Sequence, residues 1–168
     1  MIYFDIDGVL RDLVTPIFGS KQDVLWNAKK DGKSIIEIIE SDLHILEDAP
    51  PFDYIYIALE CEEICFLSHQ PEHWRFHTDK WLDKYFPDRM TRDVCYVDSV
   101  NLKIGYIEDG DILIEDYPYF NNEDYSKIIL VDRSYNKNVD VPVRVYSPKE
   151  LCKILSDYKK GTRVCKKL

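Results

Sequence analysis

Two aspartates near the amino terminus, Asp5 and Asp7, have the spacing of a carboxylate pair that can transfer a phosphoryl group. They follow an apolar run that starts at Ile2, and Gly8 comes directly after them. Alternate side chains of a strand share a face, so both carboxylates are expected at one strand end, where glycine permits a sharp turn. One could attack phosphorus while the other exchanges protons with the leaving oxygen and with water. A plain turn after an edge strand would use the same residue types.

A second acidic pair, Glu115 and Asp116, follows the apolar run from Ile112 to Ile114. Carboxylates that project near Asp5 would repel one another unless a cation lies between them. Magnesium prefers oxygen ligands and keeps several waters, so one or two of these carboxylates would be enough to bind it. The alternative is a solvated acidic pair that precedes a turn.

Ser68 and Lys103 are the candidate phosphate-binding residues. Ser68 ends an apolar run, where its hydroxyl could donate to a phosphoryl oxygen, could cap the following helix, or could do both. Lys103 could neutralise Asp5 and hold the phosphate as a point charge, with Lys127 as the other candidate. His69 directly follows Ser68 and could touch the substrate.

Three histidines, His69, His73 and His77, recur every four residues in the helix predicted after Ser68. This spacing could place their imidazoles on one face for a transition metal. The sequence places no carboxylate or cysteine beside them. We therefore interpret them as surface or partly buried helix residues.

The elements that must position these residues alternate between short apolar runs and segments with helical spacing. The candidate strands are 2–6, 64–68, 94–98, 111–115, 127–132 and 143–146, and the candidate helices are 71–86, 99–107 and 148–160. Several strands are apolar throughout, as expected where both faces of a parallel sheet are covered. The alternation predicts an α/β fold, a Rossmann-like parallel sheet flanked by helices.

An insertion is predicted between the first two strands, because residues 7–63 are far more than one crossover helix requires. Within it, 24–30 and 34–46 have helical spacing and predict a small helical cap. Pro50 and Pro51 then end the helix, and 52–59 is expected to form a helix that packs on the sheet. The predicted division is a core of residues 1–10 and 51–168 and a cap of residues 11–50.

Composition limits the classes of function. With 168 residues, 45% of them apolar, the chain is long enough for one domain with its own core. A net charge of -9 opposes tight nonspecific binding to nucleic acid, which depends on lysine and arginine. Five cysteines without paired spacing, no signal-like start and no apolar run of roughly 20 residues predict a cytoplasmic protein without a membrane span.

The motifs, in this order, resemble those of the haloacid dehalogenase-like phosphohydrolase superfamily. They are Asp5-Ile6-Asp7-Gly8-Val9-Leu10, Ser68 after an apolar strand, Lys103, and Glu115-Asp116 after Ile112-Leu113-Ile114. Two further segments, 110–118 and 131–136, are similar to the 5'(3')-deoxyribonucleotidase branch, which also has a small helical cap after its first motif. The chain departs from that branch at Glu115 and Tyr117, where the branch has aspartate and arginine, and at Ser68, where it has threonine.

The resemblance implies a two-step reaction. Asp5 would form an aspartyl-phosphate while Asp7 protonates the leaving alcohol, and water activated by Asp7 would then release phosphate. Ser68 and Lys103 would hold the phosphoryl oxygens. The implied magnesium ligands are Asp5, the Asp7 backbone carbonyl and Asp116, with Glu115 in the outer shell.

The expected substrate is a small phosphate monoester. The branch resemblance favours a nucleoside or deoxynucleoside monophosphate, and Trp26 in the cap could stack on its base. A sugar phosphate or a polynucleotide 3'-phosphate would suit the same chemistry. A phosphate-binding regulatory module without turnover is the alternative outside enzymes.

Overall fold

A parallel sheet runs through the part of the chain that this computed structural model describes, residues 1–19, 24–87 and 93–161. Its strands are β1 (Ile2–Phe4), β4 (Ile64–His69), β5 (Asp93–Val97), β6 (Ile112–Glu115), β7 (Ile128–Val131) and β8 (Arg144–Val145). Within the described ranges these six strands lie in the order β5-β4-β1-β6-β7-β8, and every neighbouring pair is parallel. A separate antiparallel pair consists of β2 (Lys29–Lys30) and β3 (Lys33–Ser34).

Helices connect and flank the strands. They are α1 (Val14–Phe18), α2 (Ile35–Ser41), α3 (His44–Asp48), α4 (Tyr54–Glu60), α5 (Glu72–Tyr85) and α6 (Pro148–Gly161), with 3₁₀ helices at Val100–Tyr106, Asp124–Lys127 and Ser134–Asn136. The predicted α/β fold with a parallel sheet flanked by helices is confirmed. Among the described helices, none has the length and apolar character needed to cross a bilayer.

Apolar side chains cover both faces of the sheet. On one face, Phe4 of β1 belongs to the cluster that contains Ile55 of α4 and Leu151 of α6. On the other face, the neighbouring Tyr3 packs against the cluster that contains Leu113 and Tyr125. Burial on both faces explains why these strands are apolar throughout.

The six predicted strands are all present, with each end within two residues of its prediction. The predicted helices 71–86 and 148–160 correspond to α5 and α6, and 52–59 corresponds to α4, whose buried side chains join the main core. Residues 99–107 form a 3₁₀ helix instead of an α-helix.

The helix predicted at 24–30 is wrong. Lys29 and Lys30 form β2, which pairs with β3 across a hairpin. Asp31 and Gly32 have φ of 53° and 80°, the left-handed pair that a two-residue hairpin turn requires. The Asp-Gly turn therefore prevails over the helical spacing that precedes it.

The segment 34–46 contains two short helices, α2 and α3, where one was predicted. Ser34 starts α2 through a capping box with Glu37. Asp42 ends it in an extended conformation and accepts a hydrogen bond from the backbone N–H of His44. The break lets both helices bury an apolar face.

The segment 11–50 packs against α5. Ile17, Ile39 and Leu46 form a small apolar cluster with Trp74 of α5. This cluster is distinct from the two that cover the sheet. The division of the chain near residues 10 and 51 stays a prediction.

Free thiols are present at Cys61, Cys65, Cys95 and Cys152, whereas Cys165 lies outside the described residues. Cys65 and Cys95 lie on neighbouring strands with their sulfurs 3.6 Å apart. The reducing, cytoplasmic compartment stays a prediction.

Candidate functional site

Three polar residues meet at the carboxyl ends of β1, β4 and β6. β1 lies between β4 and β6, and the N–H of Asp5 extends its ladder by donating to the carbonyl of Ile114 at 3.0 Å. Ser68 lies near the end of β4 and Asp116 directly follows β6. Parallel strands end at a common edge, so the topology places these side chains at one cavity.

The chain turns sharply after Asp5. The N–H groups of Leu10 and Arg11 donate to the carbonyl of Ile6, and the N–H of Gly8 donates to that of Arg11. Gly8 has φ of 80°, and a Cβ there would overlap the Asp116 carboxylate. Gly8 is therefore required both by its backbone conformation and by the close approach of Asp116.

Asp5, Glu115 and Asp116 form a buried acidic cluster, and Lys103 contacts two of its members. Ligand oxygens of the three carboxylates lie within 4.8 Å of one another. The Lys103 Nζ lies 2.6 Å from Oε2 of Glu115 and 2.9 Å from Oδ1 of Asp5. All four residues are buried, and Lys103 pairs with two of the three carboxylates.

Burial, together with the neighbouring charges, shifts the pKa values of these groups. Burial, with repulsion from Glu115, raises the pKa of Asp5 to about 7. Burial, with repulsion from Asp5, raises the pKa of Asp116 to about 6. Burial alone would lower the pKa of Lys103, but the two adjacent carboxylates outweigh it and raise that pKa, so the ammonium stays charged.

A divalent cation fits Asp5 and Asp116 better than it fits Glu115. Among the described residues, the buried Oδ1 of Asp5 accepts no well-formed hydrogen bond, although the Lys103 Nζ lies 2.9 Å from it. Both oxygens of Glu115 are engaged, Oε2 by Lys103 and Oε1 by the N–H groups of Asp116 and Tyr117. Glu115 anchors the lysine and the loop after β6.

Arg11 and Gln70 hold Asp7, and the sequence analysis missed both. The Arg11 Nε donates to Oδ1 of Asp7 at 2.6 Å, and the Gln70 amide donates to Oδ2. Arg11 is fully buried and also donates to the Leu46 carbonyl and the Thr78 hydroxyl. The position of Arg11 four residues after Asp7 could have predicted their contact. The sequence contains no comparable signal for the contacts of Arg11 with Leu46 and Thr78.

Ser68 lies inside β4 and does not cap α5, which corrects one of its two predicted roles. The residue before α5 is Pro71, and no side chain among the described residues caps this helix end. The buried Ser68 hydroxyl instead accepts a hydrogen bond from Gln70 and faces the cavity. His69 is the exposed last residue of β4 and lines the cavity, so it is not on the helix that carries His73.

Of the two candidate lysines, the structure brings Lys103 to Asp5. Lys127 donates to the carbonyl of Ile107 and pairs with the exposed Asp109. Lys103 lines the cavity, and Lys127 is not among the described residues that do so.

A cavity of about 540 Å³ lies over this edge of the sheet. Its walls include Asp5 and Ser68 on the sheet side and Trp26 and Ile36 on the inserted segment. Trp26 makes edge contacts with three tyrosines, with ring centroids 5.3 to 6.0 Å apart: Tyr117, Tyr119 and Tyr135. The cavity thus has a charged floor and an aromatic side.

Arg133 and Tyr135 add polar groups to the cavity that the sequence analysis did not select. The Arg133 guanidinium lies over the ring of Phe52, and its Nε donates to the Gly8 carbonyl. Its buried Nη2 finds no hydrogen-bond partner in the described part of the chain. The Tyr135 hydroxyl donates to Oδ2 of Asp116, and burial beside that carboxylate raises the pKa of Tyr135.

No known protein-family model matches the chain, and no curated protein matches its sequence. The resemblance to haloacid dehalogenase-like phosphohydrolases therefore stays a prediction from the motifs. The geometry of the site is the independent basis for a functional proposal.

Proposed function

We propose that this protein is a magnesium-dependent phosphomonoesterase of the haloacid dehalogenase-like type. The observation that carries the proposal is the convergence of Asp5, Lys103 and Ser68, from separate elements, on one cavity at the carboxyl edge of the sheet. A nucleophile, a fixed cation and a hydroxyl donor are the groups that phosphoryl transfer through a covalent intermediate requires.

In the first half-reaction, a carboxylate oxygen of Asp5 attacks phosphorus. The new oxygen–phosphorus bond forms as the bond to the ester oxygen breaks, and that oxygen leaves as an alcohol with a proton from Asp7. Lys103 and Ser68 hold the phosphoryl oxygens as negative charge shifts. Ion pairing and burial fix Lys103 in position before the substrate arrives.

In the second half-reaction, Asp7 accepts a proton from water, which attacks phosphorus and releases phosphate from Asp5. Arg11 and Gln70 each engage one oxygen of Asp7. Gln70 is a neutral donor, so its hydrogen bond to Asp7 is weaker than that of the Arg11 guanidinium and is more easily replaced by one to substrate or water. We expect Asp7 to keep its contact with Arg11 and to exchange protons through the oxygen that Gln70 now contacts.

Magnesium would be held by the carboxylates of Asp5 and Asp116 and the backbone carbonyl of Asp7. Glu115 would support this site from outside through the loop after β6. Bound magnesium supplies positive charge that offsets the acidic cluster and the incoming phosphate. The Oδ1 of Asp5, which pairs with Lys103 but accepts no hydrogen bond among the described residues, supports this assignment.

The proposed substrates are nucleoside and deoxynucleoside monophosphates. The cavity volume is within the range of small-molecule sites. Trp26 is 47% exposed and lines the cavity, so it can accept a flat ring. The net charge of -9 makes a long polyanionic substrate less favourable than a mononucleotide.

The test is phosphate release from a panel of monoesters, with magnesium and with a chelator. The panel contains nucleoside 5'- and 3'-monophosphates, sugar phosphates, a small aryl phosphate and an oligonucleotide with a 3'-phosphate. We expect magnesium-dependent release, highest with a mononucleotide, that Asp5→Asn abolishes. Asp109→Asn is the matched control, because Asp109 is exposed and away from the cavity.

Three other results of the phosphate-release panel would change the proposal. Preference for a sugar phosphate or for the oligonucleotide would keep the chemistry and replace the substrate class. Phosphate binding without release from any member would replace the enzyme by a binding module. Release that persists in a correctly folded Asp5→Asn protein would remove Asp5 as nucleophile.

A further inference from the structure

His44, Glu47 and His77 form a cluster of metal-binding groups at the contact between α3 and α5. The Nδ1 of His77 lies 2.6 Å from Oε1 of Glu47, and the Nδ1 of His44 lies 3.7 Å from the same oxygen. The two imidazole rings are nearly perpendicular, with centroids 5.8 Å apart. One potential ligand atom from each residue lies within 4.8 Å of the other two.

The fold places a carboxylate beside His77, which the spacing of the histidines in the sequence did not predict. His77 was interpreted as a surface or partly buried residue because the sequence placed no carboxylate beside it. The break between α2 and α3 presents His44 and Glu47, three residues apart on α3, to the His77 face of α5. Two chain segments more than 25 residues apart thus contribute to one cluster.

We propose that this cluster is a transition-metal site, with Zn²⁺ as the ion that fits it best. Two imidazole nitrogens and one carboxylate oxygen are a zinc donor set, whereas magnesium and calcium prefer oxygen alone. Zinc bonds of about 2.0–2.1 Å in a tetrahedron place ligand atoms about 3.3 Å apart. The two nitrogen–oxygen distances, 2.6 Å for His77 and 3.7 Å for His44, lie on either side of that value. The two imidazole nitrogens lie within 4.8 Å of each other.

The side chain that must move toward Glu47 is exposed and free to do so. The His44 side chain is 71% exposed, and its nitrogen needs to approach Glu47 by a fraction of an ångström. The same exposure leaves the fourth zinc position open to water.

Lys80 competes with the metal. Its Nζ lies 3.2 Å from Oε1 of Glu47, the oxygen shared by both histidines. Lys80 also lies over the ring of Phe76, 4.5 Å from its centroid, so it has a second partner when a metal takes its place. Zinc and the ammonium of Lys80 are expected to exclude each other at this oxygen.

The site would join the inserted segment to the helix beside the sheet. Two hydrogen bonds already join them: Arg11 donates to the Thr78 hydroxyl of α5, and Trp81 of α5 donates to the carbonyl of Ala49. His44, Glu47 and His77 are not among the described residues that line the cavity. Zinc would act as a clamp between α3 and α5, separate from the proposed phosphate site.

The test is zinc titration with the full chain, with millimolar magnesium present and the thiols reduced. We expect one zinc per chain to bind and to raise the unfolding temperature, because the ligand binds only the folded state. Cobalt substitution should give the absorption of a tetrahedral nitrogen and oxygen site without a thiolate band. His44→Ala, which alters an exposed side chain, should lose both the binding and the temperature shift, as should His77→Ala.

His73→Ala is the matched control. His73 lies one turn before His77 on α5 and also contacts a carboxylate of the inserted segment, Glu40, but it is outside the cluster. The His73→Ala variant should still bind zinc, and the Lys80→Gln variant should bind zinc more tightly. Absence of zinc binding by the wild type would overturn the proposal. So would binding that survives His44→Ala, or a cobalt thiolate band, which would place the metal on cysteines.

Discussion

Lys103 and Glu115 form a buried ion pair, with Nζ 2.6 Å from Oε2 and both side chains 1% exposed. Glu115 is itself held by the backbone N–H groups of Asp116 and Tyr117. The ammonium is thereby fixed beside Asp5 by the loop that carries the other acidic residue of the site. A lysine fixed in this way holds charge at the cavity floor without rearrangement when a phosphate arrives.

Replacing Lys103 by methionine should remove both stability and activity. The change leaves Glu115 buried without its cation, which costs about 3–5 kcal/mol. Lys127→Met is the control, because Lys127 is partly exposed and its partner Asp109 fully so, and it should cost less than about 1 kcal/mol. Urea unfolding without metal and phosphate release with magnesium measure the two effects. Equal losses in the two variants would refute the assignment of Lys103.

Gly8→Ala should impair the site more than the same change at Gly19. Both glycines have φ near 80°, so alanine is strained at each by roughly 1–2 kcal/mol. Among the described atoms, none lies within 4 Å of a Cβ at Gly19, whereas a Cβ at Gly8 overlaps the Asp116 carboxylate. The expected result is a further stability loss and a weakened magnesium response for Gly8→Ala alone.

Urea unfolding and a magnesium titration of phosphate release would measure this difference. If the two alanine variants lost the same stability and kept the same magnesium response, the approach of Gly8 to Asp116 would have no bearing on the site.

The strands could be predicted because a strand that is buried on both faces is apolar throughout, and this pattern is visible in the local sequence. β6 and β7 are short apolar runs bounded by polar residues, and parallel pairing then brings their carboxyl ends to one edge. Asp5 and Ser68 were selected on that basis, whereas Lys103 was selected as a lysine that could neutralise Asp5. The structure places all three at one cavity.

The parts that could not be predicted depend on contacts between distant segments. Arg11 contacts Leu46 and Thr78, which lie 35 and 67 residues further along the chain. The anchoring role of Glu115 depends on how the loop after β6 folds back. The hairpin of β2 and β3 differs from these cases, because its turn residues, Asp31-Gly32, are a local signal. Asp-Gly is typical of a two-residue hairpin turn and was a better predictor here than the helical spacing of 24–30.

The stability of the metal-free protein should depend on pH through Asp5. Its pKa is about 7 in the folded protein and near the ordinary 3.8 when unfolded. Between these values the unfolded state binds fewer protons at this group, so the unfolding free energy falls as pH rises. This contribution has the opposite sign to that of a carboxylate whose pKa is lowered by folding.

Asp5→Asn should remove this contribution and raise the unfolding free energy at about pH 8 by roughly 1–3 kcal/mol. Urea unfolding of both proteins with a chelator, from about pH 4 to about pH 8, would measure it, because groups common to both cancel in the difference. Asp109→Asn should follow the wild type. A difference that did not grow with pH would show that Asp5 has an ordinary acidity.

Trp26→Ala should raise the KM for nucleoside monophosphates and leave that for a small aryl phosphate unchanged. The ring lines the cavity beside three tyrosines, and a stacked base loses about 1–3 kcal/mol when its aromatic partner is removed. The expected increase is therefore roughly tenfold, with little change in kcat. Tyr146→Ala is the control, because this side chain is exposed and is not among the described residues that line the cavity. An equal rise in KM for both substrates would show that Trp26 supports the cavity wall and does not contact the base.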